Sequence, residues 1–277
     1  MKNCKPLSKT NMLKILCLKG GIGNQIFEYC QFQQLIDQHH TCFLHYDARR
    51  LKQHNSQRID QVFHITLPHE PFWVKMYVLL LKVFRRFGVF TLLYDDERED
   101  CTLIDDYCQN KSAIVNARDI LTFKTEALTN EAKDLKIEIE KLPHPVALHV
   151  RRGDYLHPSN AANFGTCGME YYTTAMELIH SKHPDAQFYI FSDDTEWCAQ
   201  QSAFKDCKIV QLNHTADYIS MYLMTLCKSH IIANSTFSFW GAFLSPYLDG
   251  INIYPAQWFA NKDWNKPNFL PESWIAI

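Results

Sequence analysis

Val146-Ala147-Leu148-His149-Val150-Arg151-Arg152-Gly153-Asp154 is the stretch from which the fold is read. Its first five residues are mostly apolar without strict alternation, the pattern of a strand buried on both faces in a parallel sheet. Pro143 and Pro145 precede it and break the chain, so a domain boundary is expected there, giving domains 1–142 and 143–277. Downstream the signal is regular. Helices are predicted over 169–181, 195–203, 216–227 and 236–248, with strands over 187–191, 208–212, 229–233 and 251–254. Upstream, a strand at 13–18, a glycine loop, a helix over 24–38 and a strand at 41–46 begin the same theme, while 48–140 reads more weakly apart from a helix over 125–141. Strands alternating with helices mean an α/β fold with parallel sheets, whose ligands bind at the carboxyl ends of the strands.

Composition narrows the function. With 28 Lys and Arg against 30 Asp and Glu, the net charge is −2, which argues against nucleic acid as the main partner. An anion site must therefore be local. The ten cysteines include no CxxC pair, several lie inside apolar patterns, and the N-terminus has no signal-peptide plan, so reduced thiols in a cytoplasmic protein are expected. The same spacing argues against a cysteine metal site.

Every polar cluster falls at a predicted strand end. His149 to Asp154 sets two arginines beside a glycine, and guanidinium forks bind phosphate oxygens in pairs. The alternative is a structural Arg–Asp pair in a solvated loop. Asn234, Ser235 and Thr236 stand between a strand and a helix, where they would cap the helix, hold phosphate on its N–H groups, or both. Asp193 and Asp194 could bind a metal, a guanine edge, or only the start of the next helix. The loop Gly20-Gly21-Ile22-Gly23-Asn24-Gln25 suggests a dinucleotide fingerprint with Asp47 as the ribose ligand, but Ile26 stands where its third glycine belongs. The glycines are better read as bringing backbone close to a ligand, with Asn24 and Gln25 as polar contacts.

Together these segments resemble the α-1,2-fucosyltransferases, glycosyltransferase family 11. Lys19 to Tyr29 is similar to their opening motif, His149 to Tyr155 to their donor-binding motif, and Cys227 to Leu244 to their last, in the family's order over nearly the whole chain. The resemblance implies a GT-B-type enzyme with two Rossmann-like domains facing a cleft, the last residues packing back on the N-terminal domain. It implies inversion at GDP-β-L-fucose without a metal or other cofactor, and a terminal β-galactoside on a surface glycan as acceptor. Carried over by position, Arg151 would hold the β-phosphate and Arg152 the loop. His149 and Asp194 would face guanine, and Ser235 and Thr236 would cap the diphosphate. For the general base Asp154 is the first candidate and Glu28 the second; Asp154 could instead brace the arginines. The competing readings are a transferase for another GDP-sugar, a non-catalytic GDP-sugar binder, and a dinucleotide oxidoreductase, which leaves the paired arginines without a role.

Residues 71–94 are the most apolar stretch, yet Lys75, Lys82, Arg85 and Arg86 interrupt them, which excludes a spanning helix. Either the segment is a core helix with one wet basic face, or it is an interfacial helix making a peripheral contact with anionic lipid.

Overall fold

A computed structural model describes residues 11–52, 57–86, 102–212, 216–264 and 267–277. The chain divides into two compact α/β units, Met1–Leu121 and Thr122–Ile277. In the first, β1 (Leu13–Leu18) leads through a glycine turn into α1 (Ile22–Asp37), and β2 (Thr41–Tyr46) follows. Short helices α2 (Ala48–Lys52) and α3 (Ile59–Val62) precede α4 (Phe72–Arg86). β3 (Leu103–Ile104) and α5 (Ala117–Ile120) complete the unit. Its strands form a parallel sheet in the order β2-β1-β3.

The second unit contains α6 (Asn130–Lys141), β4 (His144–Val150), α7 (Pro158–Ala161), α8 (Met169–Lys182), β5 (Ala186–Ser192), α9 (Thr195–Ala199) and β6 (Lys208–Ile209). It continues with α10 (Asp217–Thr225), β7 (Ser229–Ile231), α11 (Thr236–Phe243), β8 (Asn252–Tyr254) and β9 (Ile275–Ala276). The sheet is parallel throughout, in the order β6-β5-β4-β7-β8-β9. All seven residues of β4 are buried. Val146, Leu148 and Val150 pack with Tyr172, Ala175 and Ile179 of α8, while the alternate residue His149 meets Phe237 of α11. Burial on both faces explains why the strand reads as a continuous apolar run.

The structure differs from the sequence reading at several points. The strand begins at His144, so Pro145 lies inside it; β7 joins β4 only from Val146, and the Pro145 carbonyl still accepts the Lys228 N–H (2.8 Å). The units divide at 121/122, before α6, and Tyr189 of β5 donates its hydroxyl to Glu138 of α6 (2.9 Å). The last residues pair with β8 as an edge strand of the second unit's sheet, an element the sequence did not mark, and Ile277 exchanges backbone bonds with Tyr254 and Ala256. The eight described cysteines are free, and five of them are buried.

The helix α4 also departs from the core reading. Val74, Val78 and Leu81 enter the core with Ile15, Cys17 and Leu103, and Lys82 turns inward to Asp47 (3.0 Å). Trp73, Met76, Leu80 and Phe84, which a core helix would bury, are exposed. Residues 87–94, the rest of that apolar stretch with Phe87 among them, lie outside the described residues.

Candidate functional site

The site of the second unit is built where β4 and β5 end side by side, with Val150 paired to Ser192. Arg151 leaves β4 with its guanidinium fork between two carboxylates: Nη2 meets Asp154 Oδ1 at 2.6 Å and Nη1 meets Asp193 Oδ2 at 2.9 Å. The ring of Tyr155 lies 5.4 Å from the Arg151 guanidinium, and its hydroxyl donates to the Asn234 carbonyl (3.1 Å), which links this loop to the end of β7. Arg152 turns the other way. Its Nε donates to Asp194 Oδ2 (3.0 Å), its guanidinium stacks 4.0 Å from the Trp197 ring, and its backbone N–H donates to Asp193 Oδ1 (2.9 Å).

Both aspartates are thus engaged by cations and N–H groups. Asp193 accepts from Arg151 and Arg152 through separate oxygens; Asp194 pairs with Arg152 and caps α9 by accepting the Trp197 N–H (3.1 Å). Of the readings open to Asp194, helix capping is the one its contacts describe. Among the described residues no group of His, Cys, Asp and Glu is arranged to hold a metal ion. Gly153 matters for space: a β-carbon there would lie 2.5 Å from Asp193 Oδ2.

At the end of β7, Ser235 caps α11 by accepting the Phe237 N–H (3.3 Å), and Thr236 is the first helical residue. The helix start they form carries the partial positive charge that favours an anion. Asn234 is a correction to the expected donor contact. Its side chain is buried and its amide donates to the carbonyls of Phe164 (2.9 Å), Trp258 (2.9 Å) and Gly165 (3.3 Å), so it clamps three loops together. A pocket of about 250 Å³ opens beside it, lined in part by Gly168, Pro255 and Gln257. His149, expected to face guanine, is corrected too. It is buried under the loop, where loss of hydration and then the Arg151 charge push its pKa down to about 3, leaving a neutral imidazole whose Nδ1 has no partner.

The first unit gathers the other expected residues around the start of α1. Gly20 takes φ +74°, Gly21 caps the helix with open space beside its α-carbon, and Gly23 is buried inside α1. Asn24 is half-buried and accepts from Gln109 Nε2 (2.9 Å). Gln25 is fully buried and joins the Gly20 and Gln57 carbonyls to the Ile59 N–H, which makes it a loop brace and not a ligand contact. Glu28 is likewise corrected. It has no exposed surface, Oε2 accepts the Lys19 N–H (2.8 Å), and burial raises its pKa well above the ordinary carboxylate value. A group closed off in this way cannot touch an acceptor hydroxyl. Beside it, Lys19 Nζ pairs with Asp105 (2.6 Å), which also takes Arg50 (2.7 Å).

Sequence reasoning missed Tyr155, Trp197 and the double role of Asp193. Tyr155 was the most legible, since it ends the same motif as the arginines.

A parallel α/β unit that presents an arginine fork and a helix start at neighbouring strand ends has the makings of a nucleotide-sugar site. The profile of Glycosyl transferase family 11 matches residues 103–277, and the chain belongs to that family. It is 30% identical to the Escherichia coli O-antigen biosynthesis glycosyltransferase WbnK over 94% of this chain and 99% of that protein. It is 27% identical to an alpha-1,2-colitosyltransferase of the same organism, over 94% and 97% of the two chains. To the galactoside alpha-(1,2)-fucosyltransferase 1 of Rattus norvegicus it is 30% identical over 48% of this chain and 37% of that one.

Proposed function

We propose that this glycosyltransferase moves L-fucose from GDP-β-L-fucose to the 2-hydroxyl of a terminal β-galactoside, with inversion and without a metal ion. The observation that carries the reading is the Arg151 fork at the end of β4, set between Asp154 and Asp193 and joined through Tyr155 and Asn234 to the start of α11. The motif resemblance supports fucose, and the relatives named for α-1,2 transfer and O-antigen biosynthesis support the linkage and a surface glycan.

The chemistry follows from charge. As the anomeric carbon gains oxocarbenium character, the departing β-phosphate gains negative charge, which a fixed guanidinium and helix N–H groups stabilise by ~10²–10³ in rate. Arg151 has the two-pronged geometry for that oxygen set, but both prongs are held by carboxylates. Asp193 is anchored a second time by the Arg152 N–H, whereas Asp154 is the more exposed partner, three residues along the same loop. The diphosphate therefore displaces Asp154 and keeps Asp193. Arg152, held against Trp197 and Asp194, fixes the loop. Released from Arg151, Asp154 is the carboxylate proposed to take the acceptor proton, a step commonly worth ~10²–10⁴.

The alternative is transfer of another GDP-linked sugar, which the colitosyltransferase relative favours. The deciding experiment offers GDP-fucose and GDP-colitose, each with lactose, and determines the linkage of any product. The proposal expects an α-1,2-fucosylated galactoside. Preferred transfer of the second sugar, or a different linkage, overturns it, and donor binding without turnover would leave a binding protein only.

A further inference from the structure

We infer that α4 is a docking surface for an anionic lipid bilayer. Helices alternate their faces every 3.6 residues, and α4 uses one narrow face for the core through Val74, Val78 and Leu81. The face opposite is apolar and exposed: Phe72, Met76, Leu79 and Val83 form one row, with Phe72 76% and Leu79 54% accessible. Trp73 and Leu80 widen it, and Trp73 is seated edge-on against Phe43 (4.9 Å), so the ring is held at the surface. Soluble proteins rarely leave so continuous an apolar face uncovered.

Charge identifies the occupant. Residues 71–86 contain four cations and no carboxylate in a chain whose net charge is −2. Exposed Lys75 falls on the flank of the apolar face, and two further cations, Arg85 and Arg86, follow in the last turn of the helix, so the segment combines an apolar face with positive charge as an interfacial helix does. A second copy fits poorly, because a two-fold contact would set this cationic patch against itself. No helix among the described residues is long and apolar enough to cross a membrane, so the contact is peripheral. The inference stands on α4 alone and does not depend on the donor.

The test is co-sedimentation with vesicles of phosphatidylcholine, alone or mixed with phosphatidylglycerol. The wild type should pellet with the mixed vesicles and not with the neutral ones. Lys75→Gln with Arg85→Gln and Arg86→Gln should weaken partitioning by on the order of a hundredfold, at about tenfold or less per charge. Lys82 is left in place because it pairs with Asp47. Phe72→Ser with Leu79→Ser and Val83→Ser should abolish pelleting while sedimentation velocity still reports a monomer. If the serine protein unfolds, the charge variant decides alone. Absence of wild-type pelleting, equal pelleting on neutral vesicles, or indifference to the charge change overturns the inference. So does a wild-type dimer that the serine substitutions dissociate.

Discussion

Replacing Gly153 by Ala adds one methyl group at the point where the arginine loop crosses Asp193. The new β-carbon would sit 2.5 Å from Asp193 Oδ2 and 3.1 Å from its Cγ, but 3.7 Å from its Cβ. Only the carboxylate has to move, so the backbone and the core beneath are spared. That carboxylate accepts from Arg151 Nη1 and from the Arg152 N–H, both at 2.9 Å. Hydrogen bonds to a charged group contribute about 1.5–3 kcal/mol each, and freeing the anchored prong of Arg151 should cost GDP binding about one such bond. The expected result is a Kd raised about 10–150-fold by isothermal titration with GDP, and an unfolding midpoint lowered by only a few degrees. Asp193→Asn should do much the same, and the double variant should be no worse than either alone, because both act through one contact. GDP affinity within about twofold of wild type in Gly153→Ala would refute the anchoring role of Asp193.

Four further outcomes are expected. Asp154→Asn should leave GDP affinity unchanged or raise it, since the diphosphate then displaces an amide and not a charge from Arg151, while kcat falls by ~10²-fold or more if the freed carboxylate takes the acceptor proton; a parallel loss of GDP binding would make it a brace for Arg151. Glu28→Gln should keep kcat, since the amide oxygen can still accept the Lys19 N–H, and should raise stability at neutral pH; a ~10²-fold fall in kcat would return Glu28 to the base role. EDTA should leave the initial rate unchanged; collapse with recovery on adding Mn²⁺ would turn attention to Asp193 and Asp194 as ligands. His149, held neutral with its pKa near 3, destabilises the fold as pH drops from 6.5 toward 3, since the unfolded chain takes up the proton first. His149→Phe should therefore remove about 1.4 kcal/mol per pH unit of acid sensitivity in that window by urea unfolding, leaving the similar contribution of His230, whose pKa burial pushes down to about 4.

Much of the architecture was legible because the long elements announce themselves. β1 and β2 run over the residues their apolar patterns mark, and each glycine-rich or arginine-rich loop stands at the end of a strand. The two-residue strands β3 and β9 were not, since two residues carry no periodicity and their place is set by the strands they join. Within the site, residue types identified an anion-binding loop but not its wiring. Asn234 and Gln25 look like ligand contacts in sequence, yet a buried carboxamide surrounded by backbone carbonyls serves the backbone first. His149 and Glu28 were misread because nothing local distinguishes a polar residue on the covered face of a strand or helix from one on the open face. The same limit applied to α4, where periodicity located two faces and only the packing of Val74, Val78 and Leu81 showed which one is buried.

A crystal structure of the GDP complex would show whether Arg151 grips the diphosphate of a GDP-sugar. The β-phosphate should lie on the Arg151 guanidinium and near the N–H groups that open α11, with Asp193 still bonded to Arg151 and Asp154 displaced from it. A diphosphate bound elsewhere, or at this place with the Arg151–Asp154 pair intact and no guanidinium contact, would contradict that grip.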